Sequence, residues 1–208
     1  MTSSHGLNHP MSSIITFASE TPPPFPMHRF TVAQYRQLGE LGVLVPEDRV
    51  ELLEGWIVEK MNHRPAHGYA VRYLNNWLVR VLPDGWLAQC QLPITTDTSE
   101  PEPDLAVVRV KDSDFSKRHP YANECRLLIE VADTSLAKDR AKAAIYATSG
   151  VDEYWIVNLI ERRLERFQQS DGCAYHVQTF IAIDETVELE LDNKSYPLTV
   201  AVLFSAET

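Results

Sequence analysis

Cysteine is scarce and scattered. Cys90, Cys125 and Cys173 form no CxxC pair, which argues against zinc ligation and a disulfide framework and fits incidental thiols in a reducing, cytoplasmic setting. Long apolar runs are missing as well: none approaches the roughly 20 residues that carry a helix across a bilayer, so no membrane role is expected. No early basic region precedes an apolar block, so no secretory signal is expected. The chain also has no Gly-rich phosphate loop, no GxSxG elbow and no HExxH pair. Those absences set aside the nucleotide-binding, serine-hydrolase and zinc-protease chemistries that depend on them. Finally, there is no basic excess. Lys and Arg number 19 against 29 Asp and Glu, a net charge of −10. Neutralising phosphates and releasing their counterions supplies most nonspecific affinity for nucleic acid. Tight, sequence-independent duplex binding is therefore not expected, although Arg72, Arg80, Lys111, Lys117, Arg118, Arg140, Arg162, Arg163 and Arg166 could share a local basic face.

What is present is an ordinary globular composition. With 208 residues, 44% of them hydrophobic, the chain is long enough to bury a full core. Residues 1–28 are rich in Ser, Thr and Pro, including Pro22-Pro23-Pro24-Phe25-Pro26, and read as a disordered or extended lead-in. Residues 29–208 read as one domain. Thr31-Val32-Ala33-Gln34 fits a capping box opening a short helix that Gly39 and Gly42 end. Arg49 to Lys60 alternates like a hairpin turning near Gly55. Ala66 to Leu82 places Ala70, Val71, Leu74, Trp77, Leu78 and Val81 on one helical face, stopped by Pro83-Asp84-Gly85.

Trp86 to Thr95, Pro103 to Val110 and Cys125 to Val131 read as strands. The last two are nearly continuous apolar runs, expected at a sheet centre buried on both faces. Leu136 to Ser149 reads as a helix with an apolar face of Ala137, Ala141, Ala144, Ile145 and Thr148, and with Asp139, Lys142 and Tyr146 on its flank. Glu153 to Leu159 and Leu164 to Gln169 read as a strand pair. Ala174 to Ile183 and Thr186 to Leu191 read as outer strands, and Tyr196 to Phe204 as a last short strand or helix. The class is α/β or α+β with one mixed sheet.

Within that plan a few charged residues stand at unusual places. Asp104 closes Ser99-Glu100-Pro101-Glu102-Pro103-Asp104 and opens Leu105-Ala106-Val107-Val108; read alone, it is a turn residue before a strand. Glu130 interrupts Leu127-Leu128-Ile129 and Val131-Ala132, where an ionised carboxylate costs several kcal/mol unless a cation or proton compensates it. A buried salt bridge and a metal site both answer that need. Lys142, at the edge of its helix's buried face, can reach toward a strand end; a solvated helix lysine is the alternative. Glu51 shares a strand face with Leu53 and is either edge-exposed or a supporting carboxylate. His67, at the start of the long helix, is either solvent-exposed or orients a phosphate or water. Gln91 positions substrate or lysine, or is a plain strand residue.

Two carboxylates and a lysine make a minimal kit for holding Mg²⁺ against a phosphodiester: magnesium takes oxygen ligands, keeps several waters and needs only one or two carboxylates, while an ammonium carries developing phosphate charge. Paired carboxylates also serve glycoside hydrolysis, but the aromatic-lined, loop-rich form expected for sugar binding is absent.

The segments Arg49-Val50-Glu51-Leu52-Leu53-Glu54-Gly55-Trp56-Ile57-Val58-Glu59-Lys60, Glu102-Pro103-Asp104-Leu105-Ala106-Val107-Val108, Leu128-Ile129-Glu130-Val131-Ala132-Asp133-Thr134-Ser135-Leu136 and Tyr146-Ala147-Thr148-Ser149-Gly150-Val151-Asp152-Glu153-Tyr154-Trp155-Ile156-Val157-Asn158-Leu159 together resemble the Uma-type restriction endonucleases, a branch of the PD-(D/E)XK nuclease superfamily. The resemblance spans about residues 29 to 205. It implies a restriction-endonuclease-like fold, a central mixed β-sheet flanked by helices with additional outer strands, and Mg²⁺-dependent hydrolysis of DNA, Mn²⁺ being a possible substitute. Asp104 then maps to the motif aspartate and Glu130 to the second acidic ligand. Ala132 stands where the superfamily lysine would fall, and the resemblance transfers that role to Lys142. Cutting two strands favours a homodimer. A non-catalytic module on the same fold, or a hydrolase of another phosphate ester, is the competing expectation.

Overall fold

A computed structural model describes residues 26–62, 64–110 and 115–204. All but the last three residues of the expected lead-in, together with His63 and Lys111, lie outside the described residues. Helix α1 (Val32–Glu40) opens on the expected capping box: the Gln34 N–H donates to Thr31 Oγ1 (3.2 Å) and the Thr31 N–H to Gln34 Oε1 (2.9 Å), which satisfies two orphan backbone donors. None of its residues is buried. Polar links hold it instead. Arg36 pairs with buried Glu100, and the Tyr35 hydroxyl donates to the Val50 carbonyl at 3.1 Å.

Strands β1 (Val50–Leu53) and β2 (Trp56–Glu59) form the expected hairpin. Glu54 and Gly55 both take positive φ (47° and 81°), the turn whose twist matches the flanking strands. A Cβ on Gly55 would lie 2.7 Å from the Cβ of Arg29, so the position needs glycine for space as well as conformation. Helix α2 (Pro65–Val81) starts with proline at its first position, where the missing N–H costs nothing.

The central sheet follows. It comprises β3 (Trp86–Cys90), β4 (Leu105–Arg109), β5 (Cys125–Ala132), β6 (Glu153–Asn158), β7 (Arg163–Ser170) and β8 (Tyr175–Ile181), hydrogen-bonded in that order. Every pair is antiparallel except β5–β6. Parallel neighbours need a crossover, here helix α3 (Leu136–Thr148). Side-chain alternation then divides the core. Leu105, Val107, Leu127, Ile129 and Trp155 pack with Ala70, Leu74 and Leu78 of α2. Ala106, Val108, Leu128, Tyr154 and Ile156 pack with Ile145 and Tyr146 of α3. A second hairpin, β9 (Thr186–Leu191) and β10 (Lys194–Thr199), closes the α2 side through Val187, Leu189, Leu191 and Leu198. The expected last element is both things: β10 gives way to a 3₁₀ turn at Val200–Leu203.

Three expectations need correction. The strand expected to reach Thr95 stops at Cys90, because Gln91 turns to a φ of 50°. On α3, Ala137, Ala141, Ala144 and Thr148 are exposed while Asp139, Lys142, Ile145, Tyr146 and Ala147 are buried. Alanine offers too little area to set a helix's orientation, and here the buried charges have partners on the sheet. Among the described residues, these basic side chains do not share a single face either. Arg140 and Arg163 meet at Glu165, Arg166 turns to Glu153 on the other side of the sheet, and Arg118 pairs with Glu124.

Candidate active site

The register of two neighbouring strands generates the site. In the β4–β5 pair Leu105 lies opposite Ile129, so Asp104, the residue before β4, comes beside Glu130 at the end of that pairing. Directly opposed antiparallel side chains stand within about 5 Å at Cβ. Both carboxylates are 5% exposed.

Asp104 is held by three donors: the Val131 N–H at 2.8 Å, His67 Nε2 at 3.0 Å and the Gln91 amide Nε2 at 3.2 Å. Burial pushes its carboxyl up, but the hydrogen bond and charge of His67, with the other two donors, outweigh burial and keep it below the ordinary range. His67 is 5% exposed, so the solvent-exposed alternative is set aside. Its Nε2 serves Asp104. Gln91 likewise reaches Asp104 rather than the lysine, because its left-handed backbone ends β3 and turns the side chain back across the strand pair.

Glu130 accepts from Lys142 Nζ (2.9 Å) and the Tyr146 hydroxyl (3.1 Å), both at Oε1. Burial pushes its carboxyl up to about 8; Lys142 opposes that rise, while Asp139, Asp104 and Glu51 add to it. Lys142 sits between two acids, with Glu51 Oε2 at 3.0 Å on its other side. Burial alone would lower its pKa, but Glu130, Glu51 and Asp139 raise it above the ordinary value, so it stays an ammonium. Glu51, delivered by β1, also accepts from Lys138 Nζ (3.0 Å) and the Glu102 N–H (3.2 Å). Burial favours its proton, yet Lys142 and Lys138 hold it below the usual range.

All six sequence-derived candidates, Asp104, Glu130, Lys142, Glu51, His67 and Gln91, line one cavity of about 300 Å³. Asp139, buried and bonded to the Ser135 hydroxyl, joins them. Four buried carboxylates, Glu51, Asp104, Glu130 and Asp139, therefore line the cavity together with Arg49, Lys60, Lys138 and Lys142. Sequence reasoning missed Asp139, Tyr146 and Lys138 as site members. The i, i+3, i+7 spacing of Asp139, Lys142 and Tyr146 carried the signal, since it puts all three on one helix face. Among the described residues no three His, Cys, Asp or Glu side chains form a ready ligating group, so an ion here would rest on few protein oxygens. Chemically, the cavity offers acidic oxygen donors for a hard cation beside a fixed positive charge.

Comparison with proteins of curated function finds no match. Among solved structures, the chain is similar to the crystal structure of a "putative nuclease belonging to DUF820" from Anabaena variabilis ATCC 29413, with a TM-score of 0.66 and 16% identity over 79% of this chain and 94% of that one. At that identity the likeness speaks to the fold. The Uma2 family model, described as "Putative restriction endonuclease", matches residues 32–201, which include β1, both carboxylate strands and the lysine helix. The chain belongs to the Uma2 family.

Proposed function

We propose that the protein is a metal-dependent endonuclease that hydrolyses phosphodiester bonds in DNA. One observation carries this reading: Asp104, Glu130 and Lys142 line a single cavity in which carboxylates outnumber their cationic partners. The donor set fits Mg²⁺, or Mn²⁺ in its place. It is all oxygen, it is acid-rich, and two carboxylates suffice when waters and substrate phosphate complete the shell. Asp104 and Glu130 would hold the ion. When bound, such an ion polarises a phosphoryl oxygen and lowers the pKa of a water.

The chain's own residues have separable tasks. His67, Gln91 and the Val131 N–H fix the Asp104 carboxylate in one orientation. Lys142 is an ammonium in the free protein, so it serves as an electrostatic partner for charge developing on phosphate and not as a base. Glu51 is a positioning residue, holding Lys142 from one side as Glu130 holds it from the other. A homodimer would present two such cavities to two strands.

The test is cleavage of supercoiled plasmid by purified protein with Mg²⁺. Cutting that vanishes in chelator and in a Glu130→Gln variant of unchanged circular dichroism supports the reading; intact plasmid under Mg²⁺ and Mn²⁺ overturns it. A second reading, a non-catalytic module for nucleic acid or protein, is favoured by the commitment of Lys142 to two carboxylates. Calorimetry finding no divalent-ion binding to a folded protein would select it.

A further inference from the structure

Four cations line the cavity, and three of them are matched. Lys60 pairs with Glu102 at 2.6 Å, Lys138 with Glu51, and Lys142 with Glu51 and Glu130. Arg49 differs. Among the described residues no carboxylate pairs with it. Its guanidinium is held by two neutral oxygens, Nη1 donating to Asn62 Oδ1 and Nη2 to the Met61 carbonyl at 2.9 Å. These bonds use two of five donors.

The backbone of Arg49 is also special. It takes a left-handed conformation (φ 51°, ψ 57°), uncommon for a long side chain and sustained only where surroundings over-determine it. They do so here: the Lys60 N–H donates to the Arg49 carbonyl at 2.7 Å, and the Arg49 N–H to Pro46 at 3.2 Å. A fixed, forked and uncompensated cation therefore stands at the wall of an acidic cavity.

That wall is shared. A neighbouring groove of about 470 Å³, bordered by Tyr35 and His119, has Pro46, Arg49, Lys60 and Glu102 in common with the catalytic cavity. We infer that Arg49 grips the phosphate adjacent to the scissile one, on a strand that runs from the catalytic cavity past Arg49 into this groove. The inference rests on the endonuclease reading and names the backbone anchor for its substrate. A planar fork suits phosphate oxygens, and Asn62 holds that fork so that little side-chain freedom is lost on binding.

The test uses the full chain and a fluorescein-labelled DNA strand of about 12 nucleotides, a length within the range single-strand grooves hold. Anisotropy is followed across a salt series with Ca²⁺ replacing Mg²⁺. Arg49→Asn removes the charge while tolerating the left-handed backbone. It should weaken binding about tenfold and flatten the salt slope by about 0.7, the release from one phosphate contact on a single strand. Arg49→Lys should restore the slope and only part of the affinity, lacking the fork. In plasmid cutting, Arg49→Asn should raise KM more than it lowers kcat. Wild-type affinity and slope in a folded Arg49→Asn protein would overturn the assignment, while plasmid cutting that Glu130→Gln abolishes would leave the endonuclease reading standing. A wild-type protein that neither binds the strand nor cuts plasmid overturns both.

Discussion

Glu153 and Glu130 are buried acids on the same sheet, one residue position of β6 and one of β5, yet their surroundings differ in kind. Glu153 is 1% exposed and receives Arg166 Nε at 2.6 Å, Arg126 Nη1 at 3.0 Å and the Trp155 indole N–H at 2.6 Å. Two guanidiniums answer one carboxylate. Glu130 receives one ammonium that it shares with Glu51, and it faces Asp104 and Asp139 besides. Burial of an acid is thus no sign of chemistry by itself. What separates a strut from a site is whether the charges close, and around Glu130 they do not.

This contrast can be broken most forcefully by truncating each acid. Glu153→Ala leaves Arg126 and Arg166 facing each other, and should cost about 3–5 kcal/mol in urea unfolding with plasmid cutting unchanged below the transition. Glu130→Gln should cut the cleavage rate at least about a hundredfold, the upper scale seen for residues that merely support metal ligands, with no loss of metal-free stability. Equal destabilisation by both changes would erase the distinction. Adding Mn²⁺ at about a hundred times its Kd should raise the thermal midpoint by roughly 5–10 °C in wild type and not in Asp104→Asn; a scanning calorimetry series reads both.

Acid titration sharpens the same comparison away from the site. Burial raises the Glu165 carboxyl, but hydrogen bonds from Arg140 and Asn158 and the charges of Arg140 and Arg163 hold it below its ordinary range. Its contribution to stability is therefore full above the unfolded carboxylate pKa of about 4.3 and is lost as pH falls through the lower folded value. Wild type should lose stability below about pH 4 more steeply than Glu165→Gln, as followed by urea midpoints across that range. The smallest effect belongs to the cap of α1: Thr31→Ala should cost about 1 kcal/mol and leave cutting intact.

Much of the fold could be read directly from residue patterns. The apolar strand that follows Asp104 and the one that carries Glu130 announced themselves because burial on both faces leaves a continuous hydrophobic run, and the Thr31 helix start follows from local chemistry. The orientation of α3 was not legible. Four small residues at helical spacing imitate a core face, whereas the true inner face mixes Ile145, Tyr146 and Ala147 with two charges and makes sense only once Glu51 and Glu130 are in place to receive Lys142. The partners of Asp104 were hidden for a similar reason. His67 lies 37 residues away, and nothing local in either segment specifies that the start of α2 ends beside the start of β4. The unmatched charge of Arg49 likewise emerges only from the pairing of its neighbours.

The crossover through α3 has a consequence for how the molecule comes into being. During synthesis from the N-terminus, Glu51, Asp104 and Glu130 all leave the ribosome before Lys142 does, and the parallel β5–β6 pairing cannot close until β6 follows. A chain that ends before α3 would hold Glu51 and Glu130 without the lysine that bridges them. The pocket is thus a product of the crossover: its acids come from β1 and the β4–β5 pair, and their shared ammonium arrives only with α3.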